Sequence, residues 1–323
     1  MNRIAVMTSG GDGPGLNPCI RAVTRMAIHL GAEVLGVKRG YAGLVSGDVV
    51  ELDRRAVGGI MGHGGTFLGT SRYRPFYEEK TQREGKGTID QLDIDGLVVI
   101  GGNGSLTGAM KLHHLGVPVV GVPATIDNDV NGTDIAVGVD TALNTILDAI
   151  DRIKDTASSH HRAFLIETMG RNSGYLALYS GLAGGAELIL IPEIESSMEE
   201  IARTVRDSYR RGKAHCIIVA AEGWEPGAQA VVNRLKEQHG ELGFEIRLTV
   251  LGHIQRGGKP SAFDRLLATR LGAAASRALI GGQYGMMAGW VESQLELSPL
   301  EEAVAFQKSI DLDLWRLGEI MER

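Results

Sequence analysis

The stretch VVIGGNGSLTGA, residues 98–109, decides the fold class. It begins as an apolar run typical of a buried strand, turns through glycines, and continues with the composition of a helix. A strand that leads through a glycine turn into a helix is half of a parallel strand–helix–strand unit. The bare backbone of such a turn and the helix N-terminus can together hold an anion. This stretch therefore predicts an α/β protein with an anion site at a strand end.

The same alternation of strand and helix continues along the chain. Strands are predicted at residues 3–7, 33–37, 96–100, 118–122, 163–167, 187–191, 216–221 and 246–252. Helices are predicted at about 15–30, 104–115, 139–155, 173–184, 197–212 and 262–281. The strands are apolar on both faces, as in parallel sheets covered by helices on both sides. We therefore predict two fused α/β units, with a boundary near residue 138.

Composition and charge exclude several classes of function. The 323 residues are 43% hydrophobic, enough for one large core or two moderate ones, and the net charge is -6. No dense cluster of Lys and Arg suggests a nucleic-acid face, and no apolar run approaches the ~20 residues of a membrane span. Cys19 and Cys216 lack partners at metal-ligand spacing, which indicates buried thiols in a reducing compartment. We expect a cytoplasmic protein that binds neither nucleic acid nor membrane.

Polar, glycine-rich segments follow six of the predicted strands. They are TSGGDGPG (8–15), GGNGS (101–105), PATIDND (123–129), ETMGRNSG (167–174), AAEGW (220–224) and GHIQRGG (252–258). Ligands of open parallel sheets bind beyond the carboxyl ends of the strands. The six segments therefore predict one composite binding site.

The segment PATIDND carries the sharpest chemical signal. Asp127 and Asp129 lie two residues apart in a loop, so both carboxylates can face one pocket or share a metal. A carboxylate beside a substrate hydroxyl can accept its proton while the oxygen attacks phosphorus. The alternative is a turn in which the Asp side chains cap backbone amides. The two readings stay open at this level.

Arginines strengthen the interpretation as a phosphate site. Five lie in or beside strand-end segments: Arg72, Arg162, Arg171, Arg247 and Arg256. Guanidinium groups pair with phosphate oxygens and stabilise charge on a transferring phosphoryl group. A nicotinamide-binding fold is disfavoured, because the second predicted strand is followed by Lys38 and Arg39 rather than by the acidic residue that would hold a ribose.

Several longer strings identify a family. The chain resembles the bacterial ATP-dependent 6-phosphofructokinases from end to end, in TSGGDGPGLN, GGTFLGTSR, TIDND, DTASSHHR, MGRNSG, AGGAE and VLGHIQRGG. The resemblance implies two Rossmann-like domains, each a mainly parallel sheet covered by helices on both faces. It assigns nucleotide binding to residues 1–138 plus about 256–304, and sugar-phosphate binding to 139–255 plus about 305–323. The implied reaction transfers the γ-phosphoryl group of MgATP to the 1-hydroxyl of fructose 6-phosphate, giving fructose 1,6-bisphosphate and ADP in a homo-oligomer, expected to be a tetramer.

The resemblance also implies roles for individual residues. Asp127 matches the catalytic base, and its catalytic partners are Arg72, Arg171 and Thr125. The nucleotide side comprises Gly11, Tyr41, Arg72, Gly102, Asn103, Gly104 and Ser105. The fructose 6-phosphate side comprises Thr125, Asp127, Asp129, Met169, Gly170, Arg171, Glu222, His253 and Arg256. Arg162 and Arg247 are expected to reach the 6-phosphate from a neighbouring subunit.

A second charged set matches the family's allosteric site for a nucleoside diphosphate (ADP or GDP) or phosphoenolpyruvate. It comprises Arg21, Arg25, Arg54, Lys154, Glu187, Arg211, Lys213 and His215. Lys154 stands where many relatives have Arg, which replaces a planar fork by a point charge. Gly58 and Gly59 stand where relatives often have polar side chains. Effector binding is expected, with its sign and strength open.

The opening stretch departs from the family at one position. Asn103 stands where the family usually has an Asp that holds magnesium, so one oxygen ligand stays and one negative charge is lost. Asp129 is a second candidate magnesium ligand. Gly104 and Ala124 are similar to the ATP-using branch rather than to pyrophosphate users. Three hypotheses follow: an active ATP-dependent kinase, a weakly active homologue with a regulatory or partner-subunit role, and a kinase with an altered donor or sugar phosphate.

Overall fold

A computed structural model describes residues 1–237 and 242–321. It divides the chain into two compact units, each built from two segments of sequence. Unit 1 comprises Met1–Thr141 and Arg256–Lys308, and unit 2 comprises Ala142–Gln255 and Ser309–Arg323. Helix and strand alternate in both.

The strands and helices of the described residues are numbered in chain order. The strands are β1 Arg3–Thr8, β2 Glu33–Val37, β3 Val49–Glu51, β4 Gly96–Gly101, β5 Val119–Pro123, β6 Arg162–Thr168, β7 Leu188–Leu190, β8 Cys216–Ala221, β9 Glu245–Val250, β10 Met286–Val291 and β11 Gln294–Pro299. The helices are α1 Leu16–His29, α2 Tyr41–Ser46, α3 Glu79–Gln91, α4 Asn103–His114, α5 Val139–His160, α6 Tyr175–Ala183, α7 Met198–Arg210, α8 Ala228–Glu237, α9 Ala262–Ile280, α10 Leu300–Ala305 and α11 Leu312–Met321.

Unit 1 contains a seven-stranded sheet in the order β11-β10-β5-β4-β1-β2-β3. The five inner strands are parallel, and β3 and β11 pair antiparallel at the two edges. Alternate residues of each inner strand point to opposite faces, where they join two separate apolar cores. Val98 and Ile100 enter the core that includes residues of α1 and α9, whereas Leu97 and Val99 enter the core that includes residues of α4. The strands are therefore apolar on both faces, as the sequence predicts.

Unit 2 contains a four-stranded parallel sheet in the order β7-β8-β6-β9. Leu165 on β6 and Ile218 on β8 are fully buried in a core shared with α7 and α8. In this sheet β6 lies between β8 and β9, so the loops that follow these three strands leave from neighbouring positions.

The predicted α/β fold class is confirmed, and each of the eight predicted strands is present. Two of them are shorter than predicted. β7 covers three residues, and β9 ends at Val250 because Gly252, with φ +53°, begins a 3₁₀ turn that runs to Arg256. The sequence reading missed β3, β10 and β11, and it missed helices α2, α3, α8, α10 and α11.

Two further expectations concern cysteines and membranes. Cys19 and Cys216 are both buried, as predicted, and burial raises the pKa of the Cys19 thiol well above its ordinary range. Across the described ranges, none of the helices is both long enough and apolar enough to cross a bilayer.

Candidate active site

Unit 1 has a cavity of about 400 Å³ beyond the carboxyl ends of β1, β4 and β5. Residues of three predicted glycine-rich or acidic segments line it: 9–12, 102–105, and 124–127 with Asp129. Residues 71–74, Phe76, Tyr77 and Arg256 contribute further lining. The strand-end positions thus bring these segments together, as the sequence predicts for this part of the composite site.

The loop after β1 presents bare backbone to the cavity. Gly10 has φ +89°, its N–H donates to the Ser71 carbonyl at 3.3 Å, and its own carbonyl accepts from Thr70 Oγ1 at 3.0 Å. At Gly11 an added Cβ would lie 3.1 Å from Nη1 of Arg256, so glycine lets this arginine lie close to the backbone. A guanidinium group beside an open peptide favours binding of an anion.

Arg256 belongs to the sugar-phosphate set by resemblance, but it contacts the glycine loop after β1. Its Nη1 lies 3.9 Å from Oδ1 of Asp12, a long ion pair. Its Nε is buried without a hydrogen-bond partner among the described residues. A buried charged donor without a partner is costly, and a bound anion would supply the acceptor.

Helix α4 starts at the cavity. Gly102 caps it in an extended conformation, and its carbonyl accepts from the N–H groups of Ser105 and Leu106 at 2.9 and 3.0 Å. The N–H groups of the first turn and the helix dipole make this end favourable for phosphate. At Gly104 an added Cβ would have Oη of Tyr77 as its nearest neighbour, at 3.5 Å.

Tyr41 forms a hydrogen bond with the first turn of α4. Its hydroxyl donates to the Ser105 carbonyl at 2.6 Å, and its ring stacks on Phe76 with centroids 3.9 Å apart. The residue is 4% exposed, and burial raises the pKa of its hydroxyl. Tyr41 lines the cavity, but its polar atom is bonded to the protein rather than directed at a ligand.

Asn103 joins the start of α4 to the loop after β5. Its Nδ2 donates to the backbone carbonyl of Asp129 at 3.1 Å. Its Oδ1 is buried and has no hydrogen-bond partner in the part of the chain that the structure describes. The carboxylates of Asp127 and Asp129 line the same cavity. Magnesium prefers oxygen ligands, so these residues fit a magnesium ion that the phosphates of a nucleotide help to hold.

A magnesium site of this kind does not need a cage of protein ligands. The described residues contain no group of three or more His, Cys, Asp or Glu side chains that could hold a metal by themselves. Magnesium bound with nucleotides usually has one or two protein oxygens, and phosphates and water complete its coordination. The oxygens at Asn103 and Asp129 correspond to that arrangement.

Asn128 explains how the loop after β5 presents its two carboxylates. It has φ +49°, a left-handed conformation that Asn tolerates, and it is 2% exposed. Its Nδ2 donates to the Asp134 carbonyl at 3.0 Å, and its Oδ1 accepts from the Ala136 N–H at 2.9 Å. Asn128 thus makes contacts with backbone groups of the kind that the turn interpretation gave to the Asp side chains. The sequence reading missed it, although the D-N-D pattern was the available signal.

Cationic side chains also line this cavity. Arg72 was predicted, whereas Arg74 and Lys111 were missed. Arg74 opens the 3₁₀ turn Arg74–Tyr77 and could have been noticed in TSRYRP. Lys111 lies on α4, two turns from its start, and donates to the Tyr77 carbonyl at 3.4 Å; nothing in its sequence context marks it. The cations give the cavity the charge that a polyphosphate requires.

In unit 2, Gln255 connects the loops that follow β6 and β9. It is fully buried, its Oε1 accepts from the Met169 N–H at 3.1 Å, and its Nε2 donates to the Gly252 carbonyl at 2.9 Å. Gly170, with φ +123°, accepts at its carbonyl from the Gly223 N–H at 3.1 Å, which adds the loop after β8. Sequence reasoning did not single out Gln255, because a buried amide is not distinguishable from an exposed one in GHIQRGG.

This end of unit 2 carries most of the predicted sugar-phosphate residues of the unit. Arg171, Glu222 and His253 are exposed there. The Glu222 N–H donates to the Thr168 carbonyl at 2.8 Å. Burial, and then the negative charge of Glu222, raise the pKa of the Glu167 carboxyl.

Arg162 and Arg247 do not lie at this end. Arg162 is the first residue of β6, and Arg247 is paired with Phe164 near the same end of the sheet. Both contact Glu245, through Arg162 Nε at 2.8 Å and through an Arg247 ion pair. At about 3.3 Å per residue, β6 separates Arg162 from Thr168 by about 20 Å. Arg162 therefore cannot contact a phosphate bound at the carboxyl end of the same sheet.

A sequence model of a family described as Phosphofructokinase matches residues 3–279. The chain belongs to the phosphofructokinase family. It is 51% identical over 322 residues to ATP-dependent 6-phosphofructokinase 1 of Thermus thermophilus, covering 99% of each chain. It is 50% identical over 319 residues to an ATP-dependent 6-phosphofructokinase of Halalkalibacterium halodurans, again covering 99% of each.

A solved phosphofructokinase structure agrees with this assignment. The enzyme of Saccharomyces cerevisiae superimposes with a TM-score of 0.87 at 36% identity. The match covers 94% of this chain and 45% of the yeast chain. The phosphofructokinase fold is therefore shown by sequence and by structure.

The charged set that resembles the family's allosteric site is divided between the units. Arg21, Arg25 and Arg54 lie in unit 1, where Arg25 Nη2 donates to the Arg54 carbonyl at 3.3 Å. Nearby Gly59 has φ +79°, a left-handed conformation that glycine adopts more readily than residues with a side chain. The remaining members lie in unit 2: Lys154, Glu187, Arg211, Lys213 and His215.

Within unit 2 the charges of this phosphofructokinase are partly compensated. Glu187 bonds Lys213 Nζ at 3.0 Å and accepts from the Ile217 N–H at 2.6 Å. Lys154 Nζ donates to the Gly184 carbonyl. His215 bonds Ser158 Oγ at 2.8 Å, and burial lowers the pKa of His215 despite the opposing charge of Glu187.

Proposed function

We propose that this phosphofructokinase transfers the γ-phosphoryl group of MgATP to the 1-hydroxyl of fructose 6-phosphate. One observation carries the proposal: the Asp127 carboxylate, the Gly11 loop and the N-terminus of α4 line the same cavity. A base and a phosphate site are thus close enough to act on one reaction. Relatives that are about half identical over the whole chain carry the name of this activity.

In unit 1, backbone and cations bind the nucleotide. Gly11 and residues 102–105 offer N–H groups to the phosphates, and Arg72 stabilises charge on the transferring group. Asp127 accepts the proton of the attacking hydroxyl, and Thr125 helps to orient it, since Thr125 Oγ1 accepts from the Asp127 N–H at 3.3 Å. The proposed base, Asp127, and the proposed phosphate-binding backbone at Gly11 and residues 102–105 therefore lie on separate strand-end loops of unit 1.

Asn103 and Asp129 are the proposed protein ligands of magnesium. The metal, when bound with ATP, neutralises charge that develops on the phosphate oxygens. Asn103 provides a neutral oxygen where the family usually has a carboxylate, so we infer weaker metal binding than in such relatives. Gly104 leaves room beside Tyr77, and together with Ala124 it supports ATP rather than pyrophosphate as the donor.

The residues proposed to bind the sugar phosphate are Thr125, Asp127, Asp129, Met169, Gly170, Arg171, Glu222, His253 and Arg256. Arg171 is also proposed to stabilise the transition state. Arg162 and Arg247 are assigned to the 6-phosphate of a neighbouring subunit, because about 20 Å of strand separates Arg162 from the carboxyl end of its own sheet. The proposed assembly is therefore a homo-oligomer, a tetramer by resemblance.

Turnover by the purified protein with ATP and with pyrophosphate tests the donor and the reaction. We expect phosphorylation of fructose 6-phosphate with ATP and a much lower rate with pyrophosphate. Asp127→Asn should lower turnover at least ~10²-fold without lowering the melting temperature. The exposed Asp90, paired with Lys86 on α3, offers a matched control, and Asp90→Asn should leave turnover unchanged. An Asp127→Asn protein with most of its activity would remove Asp127 from the base role.

A further inference from the structure

The segment that joins α10 to α11 lies against the loop that carries Asp127. Within unit 1, the Lys308 N–H donates to the Asp129 carbonyl at 3.1 Å. Gln307 Nε2 donates to Asp129 Oδ2 at 3.3 Å. Lys308 Nζ donates to the Thr133 carbonyl at 2.9 Å and to the Asp134 carbonyl. Two adjacent residues, distant in sequence, thus contact both ends of the loop from Asp129 to Asp134.

The loop is also fixed at its far end. Thr133 Oγ1 bonds the Ile135 carbonyl at 3.0 Å and accepts from the Trp290 N–H of β10 at 3.1 Å. The Asp134 N–H donates to the Trp290 carbonyl at 2.7 Å. The far end is therefore held by the sheet, whereas Asp129, two residues after Asp127, is held by side chains and by the 307–308 segment.

The backbone carbonyl of Asp129 accepts two hydrogen bonds from different parts of unit 1. It accepts from Asn103 Nδ2 on one side and from the Lys308 N–H on the other. One attachment comes from the phosphate-binding helix α4, and the other comes from the segment that leads to α11. The position of the Asp127 carboxylate depends on both, because the peptide units between Asp127 and Asp129 are short and closely constrained.

We propose that Gln307 and Lys308 are positioning residues for the phosphoryl-transfer reaction, which hold the Asp127–Asp129 turn in place. The inference rests on the proposed function for its catalytic consequence. Neither side chain contacts the reacting atoms; each acts through Asp129 or through the carbonyls at Thr133 and Asp134. Misplacement of a catalytic group by a supporting residue typically costs about 10- to 100-fold in rate.

The test combines Lys308→Met, which keeps the aliphatic stem and removes the donors, with Gln307→Ala and the double variant. At saturating magnesium we expect the turnover number to fall by about 10- to 100-fold in the double variant while the KM for ATP stays unchanged. Lys308→Arg, which keeps a cationic donor, should retain most of the activity. Lys86→Met is the matched control, because Lys86 bonds Asp90 on the surface of α3.

Hydrogen exchange separates this inference from the proposed function. In Lys308→Met we expect faster amide exchange in the peptide 127–136, with exchange in β1 unchanged. Unaltered exchange in that peptide would overturn the positioning role whatever the activity. Unaltered turnover in the double variant of an active enzyme would overturn it as well. If the unsubstituted protein has no activity but its loop exchange responds to the substitution, the proposed function fails and the attachment of the loop stands.

Discussion

Asn103 makes a structural hydrogen bond but carries no negative charge. Its amide donates to the Asp129 carbonyl, a bond that a carboxylate at this position could not make. Its Oδ1 is buried in the cavity without a protein partner among the described residues, and it lacks the charge that strengthens magnesium binding. Replacement of Asn103 by Asp should therefore strengthen magnesium binding and weaken local stability.

Asn103→Asp should lower the magnesium concentration needed for half-maximal rate, because a carboxylate binds magnesium more tightly than an amide oxygen. Turnover should rise at subsaturating magnesium. The free energy of unfolding should fall by about 1 kcal/mol, because the bond to Asp129 is lost. A magnesium titration of the rate and a denaturant titration measure the two effects. Asn103→Ala, which removes both groups, is the control and should raise the magnesium requirement; an unchanged requirement in Asn103→Asp would show that residue 103 does not ligate the metal.

The residues that the sequence singled out and those that it missed differ in what they contact. Asp127, Asn103 and Gly11 follow strands in recognisable segments, and all three line the unit 1 cavity. Asn128 and Gln255 were missed, because each acts by hydrogen bonds to backbone that is distant in sequence or hidden inside a loop. A sequence pattern records residue types, but it does not show which carbonyl or N–H a buried amide will meet.

Helix α5 owes its N-terminal cap to a residue of α9. Asp264 is fully buried, and its carboxylate accepts from the N–H groups of Gly138 and Thr141 at 2.8 Å each and from Thr141 Oγ1 at 2.5 Å. Gly138 immediately precedes α5 and Thr141 lies in its first turn, where N–H groups have no acceptor within the helix itself. One buried side chain thus connects the starts of two long helices.

Asp264→Ala should lower the free energy of unfolding by about 1–3 kcal/mol, because it removes a buried acceptor that bonds three donors. Asp148→Ala is the control on the same helix. Asp148 pairs with Arg152 on the exposed surface, so its loss should cost about 0.5 kcal/mol or less. Chemical unfolding of both variants measures the difference. Equal stability of the two variants would contradict the capping role.

The contribution of Asp264 to the stability of the fold should depend on pH. Burial raises the pKa of Asp264 above the ordinary 3.8, although its hydrogen bonds to Thr141 and Gly138 oppose the rise. The folded state therefore binds this proton more tightly than the unfolded chain, so the contribution of Asp264 to stability declines as pH rises through the raised pKa. The destabilisation in Asp264→Ala should be larger in mildly acid buffer than at neutral pH. The opposite trend would show that the hydrogen bonds outweigh burial.

At the scale of elements, the sequence predicted the inner strands well and the edges poorly. Inner strands such as β4 are continuous apolar runs because both faces are covered, and that pattern is unambiguous. The β10–β11 hairpin turns at Glu292 and Ser293, both with positive φ, so the usual Asn-Gly or Asp-Gly signal is absent. Helix α3 was missed because it is polar and contains two glycines.

Gly85, one of those two glycines, has a role in packing that the sequence does not show. At Gly85 an added Cβ would lie 3.2 Å from the Phe76 ring, and Phe76 stacks on Tyr41 beneath the cavity. Gly85 therefore weakens the sequence pattern of helix α3, but it leaves room for the Phe76 ring that packs on Tyr41. Local propensity and tertiary packing make opposite demands at this position.

For the whole molecule, the resemblance of the second charged set to the family's allosteric site predicts binding of ADP and phosphoenolpyruvate. Arg21 and Lys213 lie in different units, so Arg21→Ala and Lys213→Ala test each group of cations separately. Each should weaken binding roughly tenfold or more, as expected for a lost charge-assisted hydrogen bond. Calorimetry is the measurement, and Arg83→Ala is the control, since Arg83 pairs with Glu79 on the surface of α3. Lack of binding to the unsubstituted protein would mean that the set does not bind these effectors.

The affinity for these effectors should also depend on pH, because His215 belongs to the charged set. Burial, together with the charges of Lys154 and Lys213, lowers the pKa of His215 below its ordinary 6.5, and Glu187 opposes this shift. His215 is therefore neutral at pH 7 and gains a positive charge in more acid solution. Affinity for either anion should rise as pH falls, and His215→Gln should abolish that rise. A pH dependence that persists in His215→Gln would assign it to the ligand phosphate instead.

The assembly itself is open to a decisive test through Arg162 and Arg247. Both lie at the amino end of the unit 2 sheet and share Glu245, so the pair of arginines exceeds its carboxylate by one positive charge. The length of β6, about 20 Å, keeps Arg162 from a phosphate bound near Met169 of the same unit. If these arginines bind the 6-phosphate, they must do so in the site of another subunit. The active site would then be shared between subunits, with its residues drawn from two copies of the chain.

Hybrid oligomers of two inactive variants distinguish the shared site from a self-contained one. Asp127→Asn lacks the base, and Arg247→Ala lacks a phosphate ligand that it would supply to its neighbour. When the two are unfolded, mixed in equal amounts and refolded together, roughly a quarter of the sites should combine an intact Asp127 with an intact Arg247 from the adjacent subunit. We expect activity to reappear in the mixture and to stay absent when either variant is refolded alone. A self-contained site would leave the mixture as inactive as its components, because every subunit would then carry one defect in its own site.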